Sequence, residues 1–148
     1  MIVRTLVTFQ TDLPDDRIET DDGMDFIRWP GLNVAHALVD LFRAIGWTPG
    51  DPIDLQERGW ELDATLGVRE ITVRISLIEE VILDIMDRTP DLTWYFRRKP
   101  PGPIFTGMLT ELDKALKADG RFSDIRWFTL KGYDSQEAGA SVPIDVGG

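Results

Sequence analysis

The chain predicts an α+β fold: a two-layer sandwich in which a mainly antiparallel sheet of about five strands carries two helices on one face. Three observations predict it. Trp60, Leu62, Ala64 and Leu66 alternate with Glu61, Asp63 and Thr65, and after Gly67-Val68 the alternation resumes with Ile71, Val73 and Ile75. A period of two marks a half-buried strand. Two other stretches, from Asn33 and from Pro103, carry apolar residues at helical spacing instead. The resulting order is β-α-β-β-β-α-β, with no internal repeat.

The elements follow from local chemistry. Ile2 to Phe9 is rich in Val, Ile, Leu and Thr and reads as the first strand. An acidic loop, 11–32, comes next. It holds Asp12, Asp15, Asp16, Glu19, Asp21, Asp22 and Asp25 against Arg17 and Arg28, and ends in the turn-forming Trp29-Pro30-Gly31. Loops of this length are usually functional or disordered. Asn33 suits the cap of a helix reaching about Ile45, with Val34, Leu38, Leu41, Phe42 and Ile45 as its buried stripe and Gly46 as its stop. Thr48 to Pro52 reads as a rigid connection.

The hairpin then fixes a register. Gly67 at the first central position suits a type II′ turn, since glycine alone takes that positive φ without strain. Leu66 then faces Arg69, and counting outward sets Ala64 opposite Ile71, Leu62 opposite Val73, Glu61 opposite Arg74 and Trp60 opposite Ile75. A slip of one residue would mix the faces. Glu80 to Asp87 extends the meander, with Val81, Leu83 and Ile85 on one face and Asp84 on the other. Thr93 to Phe96 reads as short strand or loop, and Arg97 to Gly102 cannot lie inside a helix because of its prolines. Pro103 opens the second helix, buried through Phe105, Met108, Leu109, Leu112 and Leu116 and stopped at Gly120. Ile125 to Leu130 is the last expected strand. The domain therefore spans 1–131, and 132–148, poor in apolar residues, is expected to be a flexible tail. The sheet face opposite the helices would show Glu61, Asp63, Thr65, Glu70, Thr72, Arg74 and Asp84 to water.

Composition narrows the function. The chain has 148 residues, 26 Asp and Glu against 16 Lys and Arg, a net charge of -10 and no cysteine. One domain of this size buries a substantial core without a staple. The charge disfavours nucleic acid and anionic membranes as partners and favours a basic protein surface. No run approaches the ~18 apolar residues of a membrane span, and the first residues lack a signal peptide's apolar core. A soluble, cytoplasmic protein is expected, and the lack of cysteine suits a reducing compartment.

No catalytic constellation emerges. There is no thiol nucleophile and no G-x-S-x-G elbow around Ser76, Ser123, Ser135 or Ser141. His36, the sole histidine, lies one turn before Asp40, so the two share a helix face and form the alternative ligand site. A solvated pair is the simpler reading. The run Glu19 to Asp25 offers oxygen ligands but fails the EF-hand pattern, since Ile18 and Thr20 would occupy ligand positions. No metal and no cofactor are expected. Neither G-x-x-x-x-G-K-[ST] nor G-x-G-x-x-G occurs. Glu61 and Asp63 are paired carboxylates on a flat face, where Arg74 is a sufficient partner for Glu61.

The remaining signals point to binding. Asp15, Asp16, Asp21, Asp22 and Asp25, with Trp29, form one candidate surface; Trp94 with Arg97, Arg98 and Lys99 forms another. Large aromatics beside charged loops anchor interfaces, and equally lid small cores. The shape of the chain loosely resembles that of small acidic bacterial immunity proteins and of other α+β proteins, a likeness carried by no motif. The leading expectation is a non-enzymatic, acidic protein-binding domain of immunity or inhibitor type that engages a basic partner. The alternatives are a small-ligand protein or enzyme with a site near the first helix and the acidic loop, and a self-associating structural subunit. The loop carboxylates are expected to serve function rather than stability.

Overall fold

The structure, a computed structural model, describes residues 1–89 and 102–146. It is an α+β protein built on a seven-stranded antiparallel sheet. Its strands are β2 (Leu6–Thr11), β5 (Thr48–Pro49), β6 (Ile53–Asp54), β7 (Trp60–Leu66), β8 (Arg69–Leu77), β9 (Val81–Asp87) and β10 (Phe122–Phe128). The order across the sheet is β10-β2-β9-β8-β7-β5, with β6 also paired to β7. Two helices pack with it, α1 (Leu32–Ala44) and α2 (Pro103–Ala118). The described residues also form two small ribbons, β1 (Ile2–Val3) with β11 (Ile144–Asp145), and β3 (Ile18–Glu19) with β4 (Phe26–Arg28). Among the described residues no helix is long and apolar enough to cross a membrane.

The β7–β8 hairpin has the register that the alternation predicts, from Trp60 opposite Ile75 to Leu66 opposite Arg69. Gly67 sits at φ 60 and Val68 does not enter the positive-φ region, as a type II′ turn requires. The register propagates across the sheet. Trp60, Ile75, Leu83, Val7 and Trp127 lie side by side on β7, β8, β9, β2 and β10. All five are buried, in one core with Leu38 and Phe42 of α1 and Leu109 and Leu112 of α2. The next row, Glu61, Arg74, Asp84, Leu6 and Phe128, points the other way, because side chains alternate along each strand. Arg74 lies 3.7 Å from Glu61. Burial pushes the Asp84 carboxyl above its ordinary value, and Arg74 opposes that shift. This face is less open than its polarity predicts: Thr72 is buried and donates its hydroxyl to Asp63 Oδ1 at 2.7 Å.

Four differences from the sequence reading have physical causes. Among the described residues the sheet has seven strands rather than about five, because β5 and β6, within and just beyond the expected rigid connection, both pair with β7. Pro49 is tolerated there because an edge strand leaves a missing donor harmless. The last strand starts at Phe122 and ends at Phe128, shifted from the expected 125–130. A register shift between Ser123 and Arg126, with Asp124 at φ 53, breaks the alternation that would reveal it. The first helix is not capped by the Asn33 side chain. It begins after Gly31, and the Asp16 carboxylate accepts from the N–H groups of Gly31 and Asn33 at 3.2 and 2.7 Å. Its end is nearer expectation: Gly46 N–H donates to Arg43 O and Trp47 N–H to Phe42 O, a Schellman closure.

The fourth difference is the segment expected to be a flexible tail. It carries α3 (Leu130–Asp134), whose Thr129 side chain accepts from Gly132 N–H at 2.9 Å. Ala140 then exchanges two backbone hydrogen bonds with Trp127, both 2.8 Å. Pro143 is buried and Ile144 lies opposite Val3. Lys117 of α2 joins this segment through Ser141 O, and also pairs with Asp113 at 2.8 Å. Asp113 in turn accepts from the fully buried Trp127 indole at 2.8 Å. Burial of that carboxylate is thus matched by two donors.

Gly59 precedes β7 at φ 93, and an added Cβ would fall on the carbonyl oxygen of Ile75. Gly59→Ala combines a disallowed backbone with a clash against backbone, so it should cost at least about 2 kcal/mol. The check is the urea midpoint at an unchanged m-value.

Candidate functional site

The acidic loop is a built hairpin. Its tip is a turn from Thr20 to Asp25, closed by Thr20 N–H to Asp25 O at 3.0 Å and Gly23 N–H to Thr20 O at 2.9 Å. The Thr20 hydroxyl donates to Asp22 Oδ1 at 2.6 Å, which also accepts from Met24 N–H at 3.0 Å. These bonds, the Thr20 hydroxyl first, hold the Asp22 carboxyl below its ordinary value, so it stays ionised. The base of the hairpin is fixed from inside. Arg28 Nε donates to Asp16 O at 2.7 Å, and Asn33 Nδ2 to Pro14 O at 3.0 Å. Phe26 packs on Trp29 with ring centroids 4.4 Å apart, and Trp29 O accepts from the Trp60 indole at 3.2 Å.

The predicted carboxylates therefore separate into two kinds. Asp16 caps α1, and Asp15 pairs with Arg17 at 2.6 Å. Glu19, Asp21, Asp22 and Asp25 are exposed or at the tip and form no ion pair among the described residues. Beside them Met24 and Ile27 are 85% and 68% exposed. Trp29 is half-buried and braces the hairpin against Trp60 rather than standing free. Trp94, Arg97, Arg98 and Lys99 lie outside the described residues. His36 and Asp40 are exposed on α1, and no bond joins them; Asp40 instead lies 4.0 Å from Arg43. Among the described residues no three carboxylate or imidazole groups converge as a metal site.

Asp16→Ala should cost about 1 kcal/mol, because it frees two N–H groups at a helix start and removes a charge favourable to the helix dipole. Asp21→Asn should change stability by less than about 0.5 kcal/mol, as at most surface positions. Paired urea titrations of the two variants check the division.

Against the hairpin lies a cavity of about 360 Å³. Its lining includes Phe26 and Trp29, Leu77 and Ile78 at and just beyond the end of β8, and the charged Arg17, Glu57 and Arg58. The sequence places a ligand site near the acidic loop, but by way of His36 and Asp40, and neither lines this cavity. Arg17, Arg58 and Ile78 come from three separate connections, so no spacing along the chain reveals their meeting. No protein-family model matches the chain, and comparison with curated proteins and with solved structures finds no match.

Proposed function

We propose that this chain is a non-enzymatic, acidic protein-binding domain that presents the β3–β4 hairpin to a basic surface of another protein, in the manner of an immunity or inhibitor protein. The observation that carries the reading is the hairpin tip. Glu19, Asp21, Asp22 and Asp25 stand without ion-pair partners among the described residues, next to the exposed side chains of Met24 and Ile27. Asp15 and Asp113 have cations within the fold and Asp16 caps a helix, whereas Asp22 and Asp25 accept only from neutral donors of their own turn. The tip carboxylates instead repel one another, a cost that a cationic partner would turn into attraction. The exposed apolar side chains supply the area that desolvates on contact, and the charges around them steer the encounter. Because Asp16 and the turn bonds fix the backbone, the loop loses little entropy on binding. The net charge of -10 supports a protein rather than a polyanion as partner. The same proposal places the protein in the cytoplasm.

The test compares capture from lysate by the native protein and by the variant Glu19→Gln, Met24→Ser, Asp21→Asn, Asp25→Asn. The native protein should retain a basic protein at ~0.1 M salt and release it at ~1 M, where screening acts over a few ångströms. The variant should not retain it. If both proteins capture the same set, or neither captures any, the reading fails.

A further inference from the structure

The cavity against the hairpin has features that the protein-binding role of the tip does not use. Its volume of about 360 Å³ falls within the range of roughly 300–1,000 Å³ typical of small-ligand sites. Its aromatic wall is held in place: Trp29 is tied through its carbonyl to the Trp60 indole, and Phe26 rests on it. The lining also includes Ile78, 80% exposed just beyond β8 and outside the buried core.

The charges differ from those of the surface around them. On a chain with a net charge of -10, the cavity is lined by two guanidinium groups and, among the described residues, one carboxylate, Glu57. Arg17 is already neutralised by Asp15, its Nε donating to Asp15 Oδ2 at 2.6 Å. The Arg58 guanidinium makes no ion pair and no hydrogen bond among the described residues. Its backbone is nonetheless fixed. Arg58 closes the 3₁₀ turn Gln56–Arg58, which Asp54 Oδ1 caps at 2.7 Å from Gln56 N and which Leu55 and Gly59 close with a 2.9 Å hydrogen bond. An exposed guanidinium, unpaired among the described residues and carried on a hydrogen-bonded turn beside Phe26 and Trp29, suits a flat aromatic body bearing an anionic group. The ring would lie against Phe26 and Trp29, and the anion would take the fork of Arg58.

We infer that this cavity, between the hairpin, the Gln56–Arg58 turn and the end of β8, is a binding site for a small aromatic acid anchored by Arg58. The assignment does not depend on the protein-binding role of the tip, whose carboxylates do not line the cavity.

Amide-resolved NMR titration tests it, with naphthoate as the probe and naphthamide and naphthylmethylammonium as neutral and cationic counterparts. Naphthoate should shift the amides of Gly59, Leu77 and Ile78 and the Trp29 indole signal saturably. It should bind about tenfold more tightly than naphthamide, the margin a charge-assisted hydrogen bond supplies. Arg58→Gln should abolish that margin while leaving naphthamide binding unchanged. Ile78→Glu, also at an exposed position, should weaken naphthoate selectively. Equal affinity for the acid and the amide, tighter binding of the cation, shifts confined to other residues or no binding at all would each overturn the inference. Capture of a basic protein through the tip would stand whichever way this result falls.

Discussion

Leu62→Asp should abolish cooperative unfolding of this protein. Leu62 is fully buried, it faces Val73 across the hairpin, and its row lies within the core that α1 and α2 close. An aspartate there gains no cation. It must either be buried charged or take up a proton and remain a polar group in an apolar site, and either costs several kcal/mol. The lost leucine packing adds about 2–5 kcal/mol, as for large-to-small core changes generally. Single domains are stable by roughly 5–15 kcal/mol in total, so the sum consumes most or all of the margin. The neighbouring change Glu61→Ala, on the opposite face, should cost no more than about 1 kcal/mol, the worth of a partly exposed ion pair. Near-ultraviolet circular dichroism on heating distinguishes the two. A native-like cooperative transition for Leu62→Asp would mean that the hairpin faces are assigned the wrong way round.

Removing residues 136–148 should lower the melting temperature by roughly 10 °C, from a loss of about 3 kcal/mol. The loss has two sources. Two backbone hydrogen bonds between Ala140 and Trp127 vanish at the edge of β10, and so does the strand partner of β1. Pro143 and Ile144 leave apolar surface uncovered, including that around Val3. This reverses what composition suggests for a segment so poor in large apolar residues. Differential scanning calorimetry decides the matter, and an unchanged transition would show that the segment is not docked.

The contrast explains what is legible in a chain of this kind. The β7–β8 register is readable because every contact that fixes it repeats with a period of two over adjacent residues. The stripes of α1 and α2 are readable for the same reason at a period of 3.6. The docking of the C-terminal segment is not, because it uses backbone groups of Ala140, one proline and one isoleucine, none of which stands out in sequence. The cap on α1 is illegible in another way. Asn33 is the right type of residue at the right place, but Asp16, seventeen residues upstream, takes the position in space. The same gap hides the cavity, whose Arg17, Arg58 and Ile78 converge from different connections. The acidic character of the hairpin was visible throughout. What sequence could not show is that its carboxylates divide between Asp16, which caps α1, Asp22, which holds the turn, and Glu19, Asp21 and Asp25, which form no ion pair among the described residues.

One paired measurement tests that division: thermal melting beside stopped-flow association with the captured basic partner. The two proteins compared are the native form and the variant Glu19→Gln, Asp21→Asn, Asp25→Asn. The melting temperature should stay within about 2 °C of native, or rise slightly as self-repulsion is relieved. The association rate should fall by about tenfold or more at low salt, with the two rates converging near ~1 M as charges are screened. Marked destabilisation with unchanged association would contradict it, and would make the tip carboxylates structural elements of the fold.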